Sequence, residues 1–120
     1  MLFRSSHGAE IGSGARWLHI SGQVGVAPDG SIRQGFKAQM EQVLANIATV
    51  LQTAGMNKNH LVKLTVFVTQ AGPETVALYR TLRDEWLEGH APTATYLVVA
   101  GLAHPDFLVE IEAIAASEDH

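Results

Sequence analysis

An α+β fold, one sheet with both of its helices on a single face, is predicted by three observations. Residues 107–115 alternate in strand fashion, setting Val109, Ile111, Ala113 and Ala115 on a core face and Leu108, Glu110, Glu112 and Ile114 on a mixed one. Two segments, 32–54 and 73–88, repeat apolar residues in three- and four-residue steps. The resulting order, β-β-α-β-α-β-β, leaves the second sheet face uncovered by this chain. At 120 residues the chain suits one domain, 1–120, that buries roughly two-thirds of its unfolded surface.

Residues 1–6 read as the first strand. Residues 15–20 read as the second, ending at the Ser21–Gly22–Gln23 loop, with a turn at Ala27–Pro28–Asp29–Gly30. The helix over 32–54 presents Phe36, Met40, Val43, Leu44, Ile47, Val50 and Leu51 as one stripe, with Gly55 as its C′ residue. The β-branched run 61–69 suits an interior strand. Gly72–Pro73 opens the second helix, whose stripe includes Val76, Tyr79, Leu82, Arg83, Trp86 and Leu87, and Gly89 closes it. Strands over 93–99 and 107–115 follow, and the acidic tail from Ser117 to His120 frays. The cheapest cover for the open sheet face is another copy of the chain, which makes a homo-oligomer with pockets at subunit borders.

Composition excludes several classes. Eight Lys and Arg against twelve Asp and Glu give a net charge of −4, with no general attraction to nucleic acid or anionic lipid. No apolar run approaches the roughly 20 residues that span a bilayer, and the first residues do not read as a secretory signal. The absence of cysteine removes thiolate chemistry and cysteine-ligated zinc, and it is compatible with a cytoplasmic setting. Six scattered histidines form no H-x-x-x-H pair, so no metal is expected. His90 reads as a helix-end cation, and His19 faces away from Leu18 and Ile20. No serine has a nucleophile-elbow context.

Three places can carry chemistry. The glycine-flanked Ser21–Gly22–Gln23 segment can turn backbone N–H groups and a Gln amide toward a polar ligand, or it can be a turn whose Gln bonds only its own backbone. Glu110 can relay a proton or position water if partly buried, or stay a structural carboxylate beside a cation. Thr95 and Tyr96, on the strand next in sequence, can border a pocket, while Trp17, Trp86 and Tyr96 itself have plain readings as packing.

Taken together, Ile20–Ser21–Gly22–Gln23, Leu64–Thr65–Val66–Phe67–Val68, Ala91–Pro92–Thr93–Ala94 and the closing run Val109 to Ala115 resemble the Rid/YjgF family, the reactive intermediate deaminases, over nearly the whole chain. The resemblance implies a chorismate mutase-like fold, a homotrimer with ligand clefts between subunits, and no cofactor. It implies hydrolysis of 2-imino acids and their enamine tautomers to 2-keto acids and ammonia, or of a related C–N substrate. By that resemblance Glu110 is the catalytic carboxylate, and Ser21, Gly22, Gln23, Ala94, Thr95 and Tyr96 border the small-molecule site. The family's carboxylate-clamping arginine falls at Ala94 in this chain, and the aromatic of its N-terminal loop falls near Gly8. Loss of that clamp implies slow turnover of 2-imino acids, and it keeps open a trimer that binds small metabolites without turning them over. RNA cleavage, an activity also attached to the family's name, is disfavoured by the net charge.

Overall fold

A computed structural model describes residues 6–119. Its elements are β1 (Arg16–Val24), α1 (Phe36–Thr53), a short 3-10 turn (Lys58–His60), β2 (Leu61–Val68), α2 (Pro73–Leu87), β3 (Thr93–Val98) and β4 (Val109–Ser117). The four strands lie in the order β1-β4-β2-β3. β4 runs antiparallel to both of its neighbours, while β2 and β3 are parallel and joined through α2. Of the strand expected at 1–6, only Ser6 is among the described residues. It makes an isolated parallel bridge to Thr93 and donates its backbone N–H to the Pro92 carbonyl at 3.0 Å.

The α1 stripe folds as its spacing dictates: Met40, Val43, Leu44, Ile47 and Leu51 are buried against Leu64, Val66 and Val68 of β2 and Val109 and Ile111 of β4. α2 adds Tyr79, Leu82 and Leu87 to the same core. Burying a side chain of this size stabilises by about 1.5–3 kcal/mol, so the two stripes fix which sheet face the helices cover. The C-terminus of α1 is a Schellman closure: Gly55, at φ 73°, donates to Gln52 at 3.0 Å and Met56 donates to Leu51 at 2.8 Å.

Several boundaries differ from the sequence expectation. α1 begins at Phe36 and not Ile32, because Gly35 takes φ 88° and Ile32 instead bridges Val26 across the Pro28–Gly30 turn. There the Asp29 carboxylate accepts from the Ser31 N–H at 3.0 Å and its hydroxyl at 2.7 Å. At the end of α2 the C-cap residue Glu88 is left-handed, at φ 50°, and Gly89 follows it at φ 95°, closing the helix as expected. The Glu88 carboxylate pairs with Lys58, which holds it below the usual carboxylate range. The His90 ring does not cap α2: its Nε2 lies 2.7 Å from the Leu61 carbonyl and so carries the proton that it donates. Ser117 does not fray but ends β4, buried, and its hydroxyl accepts from the Asp119 N–H at 3.2 Å. Trp17 is 51% exposed, against the expectation of packing, because it lies on the open face of β1 beside Ala116.

One buried polar side chain joins these parts. Gln39 of α1 is 2% exposed, and its amide donates to the Arg33 carbonyl at 3.0 Å and the Asp106 carbonyl at 2.8 Å while accepting from the Leu108 N–H at 2.8 Å. Nearby, Asn46 donates to the carbonyls of Val24 and Val26, each at 3.1 Å, and accepts from Gln42 at 2.8 Å. Gln39→Leu conserves volume but strands three backbone groups. It is expected to destabilise the fold by about 2–4 kcal/mol in urea unfolding.

Candidate functional site

β1 does not stop before Ser21. Its register against β4 steps from Ile20 opposite Ala113 to Gln23 opposite Ile111, so Ser21 and Gly22 together face Glu112. The expected loop is therefore a β-bulge inside the strand. Two residues opposing one bends β1 over β4 and brings its backbone close to the carboxylates of the open face.

Glu110 occupies that approach. A Cβ on Gly22 would lie 2.7 Å from Cδ and 3.0 Å from Cγ of Glu110, so the glycine leaves the space in which the carboxyl group sits. Glu110 is partly buried and pairs with Phe67 on β2 and Val24 on β1. No hydrogen bond or ion pair occupies its carboxylate among the described residues. Gln23 turns inward on its own segment, donating to the Ser21 carbonyl at 3.0 Å, as the plain turn reading had it.

On the same face, beside the bulge, a hollow of about 300 Å³ is lined by His19, Ser21, Lys63, Thr65, Glu112 and Ile114. Lys63 and Thr65 were not singled out by sequence. Their signal was there, two polar residues spaced by two in an otherwise apolar strand. Among the described residues no three His, Cys, Asp or Glu side chains gather as metal ligands would.

Thr95, Ala94 and Tyr96 separate. β2 lies between β3 and β4, so the strand next in sequence to the Glu110 strand is not next to it in space. Thr95 stands opposite Thr65 on the open face. Ala94 and Tyr96, opposite the buried Leu64 and Val66, point to the helix side, where the Tyr96 ring packs 5.0 Å from that of Tyr79. The structure thus sets Gly22 against Glu110 with Ser21 beside it in the bulge, holds Thr95 on the open face, pairs Gln23 with the buried Ile111, and turns Ala94 and Tyr96 to the helix side.

The chain matches the endoribonuclease L-PSP family over residues 8–117. It is 33% identical over 102 residues, 83% of this chain and 73% of the other, to a 2-iminobutanoate/2-iminopropanoate deaminase of Mus musculus. A RutC family protein of Aquifex aeolicus is 39% identical over a shorter stretch of 54 residues, 44% of this chain and 43% of that protein. The crystal structure of YyfB from Yersinia pestis, a protein of unknown function in the conserved Rid family, superposes with a TM-score of 0.88 at 37% identity, covering 95% of this chain and 87% of that one.

Gly22→Ala tests the bulge. The clash falls on the far end of a flexible Glu side chain, so stability should change by no more than about 1 kcal/mol. A crystal structure of the variant should show the Glu110 carboxylate displaced from the bulge; an unmoved carboxylate would contradict the geometry above.

Proposed function

The chain belongs to the Rid/YjgF family, the endoribonuclease L-PSP family of its sequence match, and on that premise we propose that it hydrolyses small 2-imino acids and their enamine tautomers. The observation that carries this reading is the Glu110 carboxylate, unpaired among the described residues and seated against the glycine of the bulge. Water adds to the imine carbon as Glu110 accepts its proton and passes it to the nitrogen, giving a tetrahedral amino alcohol. Glu110 then takes the hydroxyl proton and delivers it to the nitrogen, the C–N bond breaks as the C=O forms, and the 2-keto acid and ammonia leave. An imine and one water give a ketone and one ammonia, so no cofactor is required. A small-molecule site bordered by Ser21, Gly22 and Thr95 accords with this, and the cysteine-free composition accords with a cytoplasmic setting.

The assembly is part of the same proposal. A closed homotrimer would cover the open sheet face, where Trp17 is 51% and Leu97 43% exposed. Tryptophan is a frequent anchor of protein interfaces. Light scattering is expected to report a trimer at micromolar concentration, and Trp17→Asp to shift it toward monomer; a monomeric wild type would refute the assembly.

One observation favours a second reading, a metabolite-binding trimer without turnover: the position of the family's carboxylate clamp is Ala94. Glu110→Gln separates the two. For an enzyme it should keep the trimer and ligand affinity and lower turnover by roughly 10²-fold or more, followed as ammonia release from imines generated in situ by a dehydratase. No measurable turnover in the wild type would leave binding as the function.

A further inference from the structure

The hollow beside the bulge is built from two rungs of the sheet. In one, Ile114 of β4 stands between His19 of β1 and Lys63 of β2. In the next, Glu112 stands between the bulge residues Ser21 and Gly22 on one side and Thr65 on the other. These rungs line the space of about 300 Å³, with Ile114 as its apolar wall. Glu110 lies one rung further along, opposite Phe67, and does not line it.

The polar groups of the hollow carry both signs and leave each other unmatched. Lys63 and Glu112 are diagonal neighbours on adjacent strands, roughly 7–8 Å apart at the backbone. Neither forms an ion pair among the described residues. The His19 ring and the side chains of Ser21 and Thr65 have no hydrogen bond there either. Arg16, the other cation of β1, is committed elsewhere, donating to the Ala54 carbonyl at 3.2 Å, so Lys63 is the cation of this hollow. A purely anionic ligand would meet Glu112 and a purely cationic one would meet Lys63, each with repulsion. A ligand with both signs a few ångströms apart meets neither.

We propose that this hollow binds a small α-amino acid, its carboxylate on Lys63 and His19 and its ammonium on Glu112, with the Ser21 and Thr65 hydroxyls beside them. The dimensions agree: an ammonium and a carboxylate on one carbon, with a charge-assisted hydrogen bond of about 3 Å at each end, bridge the diagonal between the rungs. A short aliphatic side chain then lies on Ile114. A volume at the lower end of the roughly 300–1,000 Å³ typical of ligand sites excludes large side chains. An amino acid has no C=N bond to hydrolyse, so this is a second site, and it does not rest on the hydrolytic reading. The proposed trimer would cover this face. Charges covered without a partner are costly, so the assembly adds to the demand for such a ligand.

Calorimetric titration of the assembled protein with L-alanine, L-valine and L-threonine tests it. At least one should bind with a Kd below about 10 mM. Its amide keeps only the cation and its deamino analogue only the anion, and each should bind roughly tenfold more weakly or worse. Lys63→Met and Glu112→Gln are exposed changes of similar length that leave the core untouched. The first should lower affinity for the amino acid to about that of the amide, the second to about that of the deamino analogue. The proposal is overturned if none of the three amino acids binds, if the single-charge analogues bind as well, or if either variant binds unaltered. A lowered Tm in both variants with no amino-acid binding also overturns it, by showing that the two charges serve only each other or a subunit contact. The readings fail separately: a monomeric wild type sinks the trimer and undiminished turnover in Glu110→Gln sinks the role of Glu110, while amino-acid binding that needs Lys63 and Glu112 would still stand.

Discussion

The buried amide of Gln39 is the constraint on which the placement of β4 depends. It takes carbonyls from two loops, at Arg33 and Asp106, and returns its own oxygen to the N–H of Leu108, the residue just before β4 begins. A strand that slipped by one residue would turn Glu110 and Glu112 into the core and Ile111 out of it. Gln39 pins the entry of that strand to the first turns of α1, whose apolar stripe already fixes the sheet face. The clamp in turn needs a glycine: a Cβ at Gly25 would sit 2.6 Å from both Cβ and Cγ of Gln39. Gly25 thus serves the scaffold as Gly22 serves the carboxylate, and neither takes a positive φ.

With β4 fixed, the bulge gives the open face its chemical character. A regular β1 would set one residue against Glu112; the bulge sets two, with Gly22 leaving room for Glu110 and Ser21 sharing a hollow with Lys63, Thr65 and His19. The helix side of the same sheet is apolar through its centre and becomes polar only at edge strand β3, where the two tyrosines meet α2. Chemistry is thereby confined to the ends and margins of a rigid core, where side chains can be exposed without cost to packing.

Much of this was legible in the residues, for reasons of period. The alternation of β4 and the stripes of α1 and α2 fixed the fold class and the facing of Glu110, because burial enforces those periods. The family resemblance pointed to the same carboxylate. What escaped was what periodicity does not encode. Strand order in space put β2 between β3 and β4, so Tyr96 and Glu110 are not neighbours. The bulge read as a loop because Ser, Gly and Gln are turn residues too, and only pairing with β4 shows the strand continuing to Val24. Gln39 passed unnoticed as a single polar residue beside an apolar stripe, its three partners lying 6, 67 and 69 residues away. Residue type alone reads Trp17 as packing, whereas its strand parity places it on the open face.

The position of β4 also governs when the molecule can form. Arg16 is paired with Ser117 and Ile20 with Ala113, so β4, one of the two inner strands, is the last of the four to be synthesised. Until it arrives, β1 has no strand to join and the α1 stripe faces an incomplete surface. Until β4 is made, the apolar residues of β1 and α1 stay within reach of chaperones and of other chains. Folding is then one late step, dominated by distant contacts and correspondingly slow.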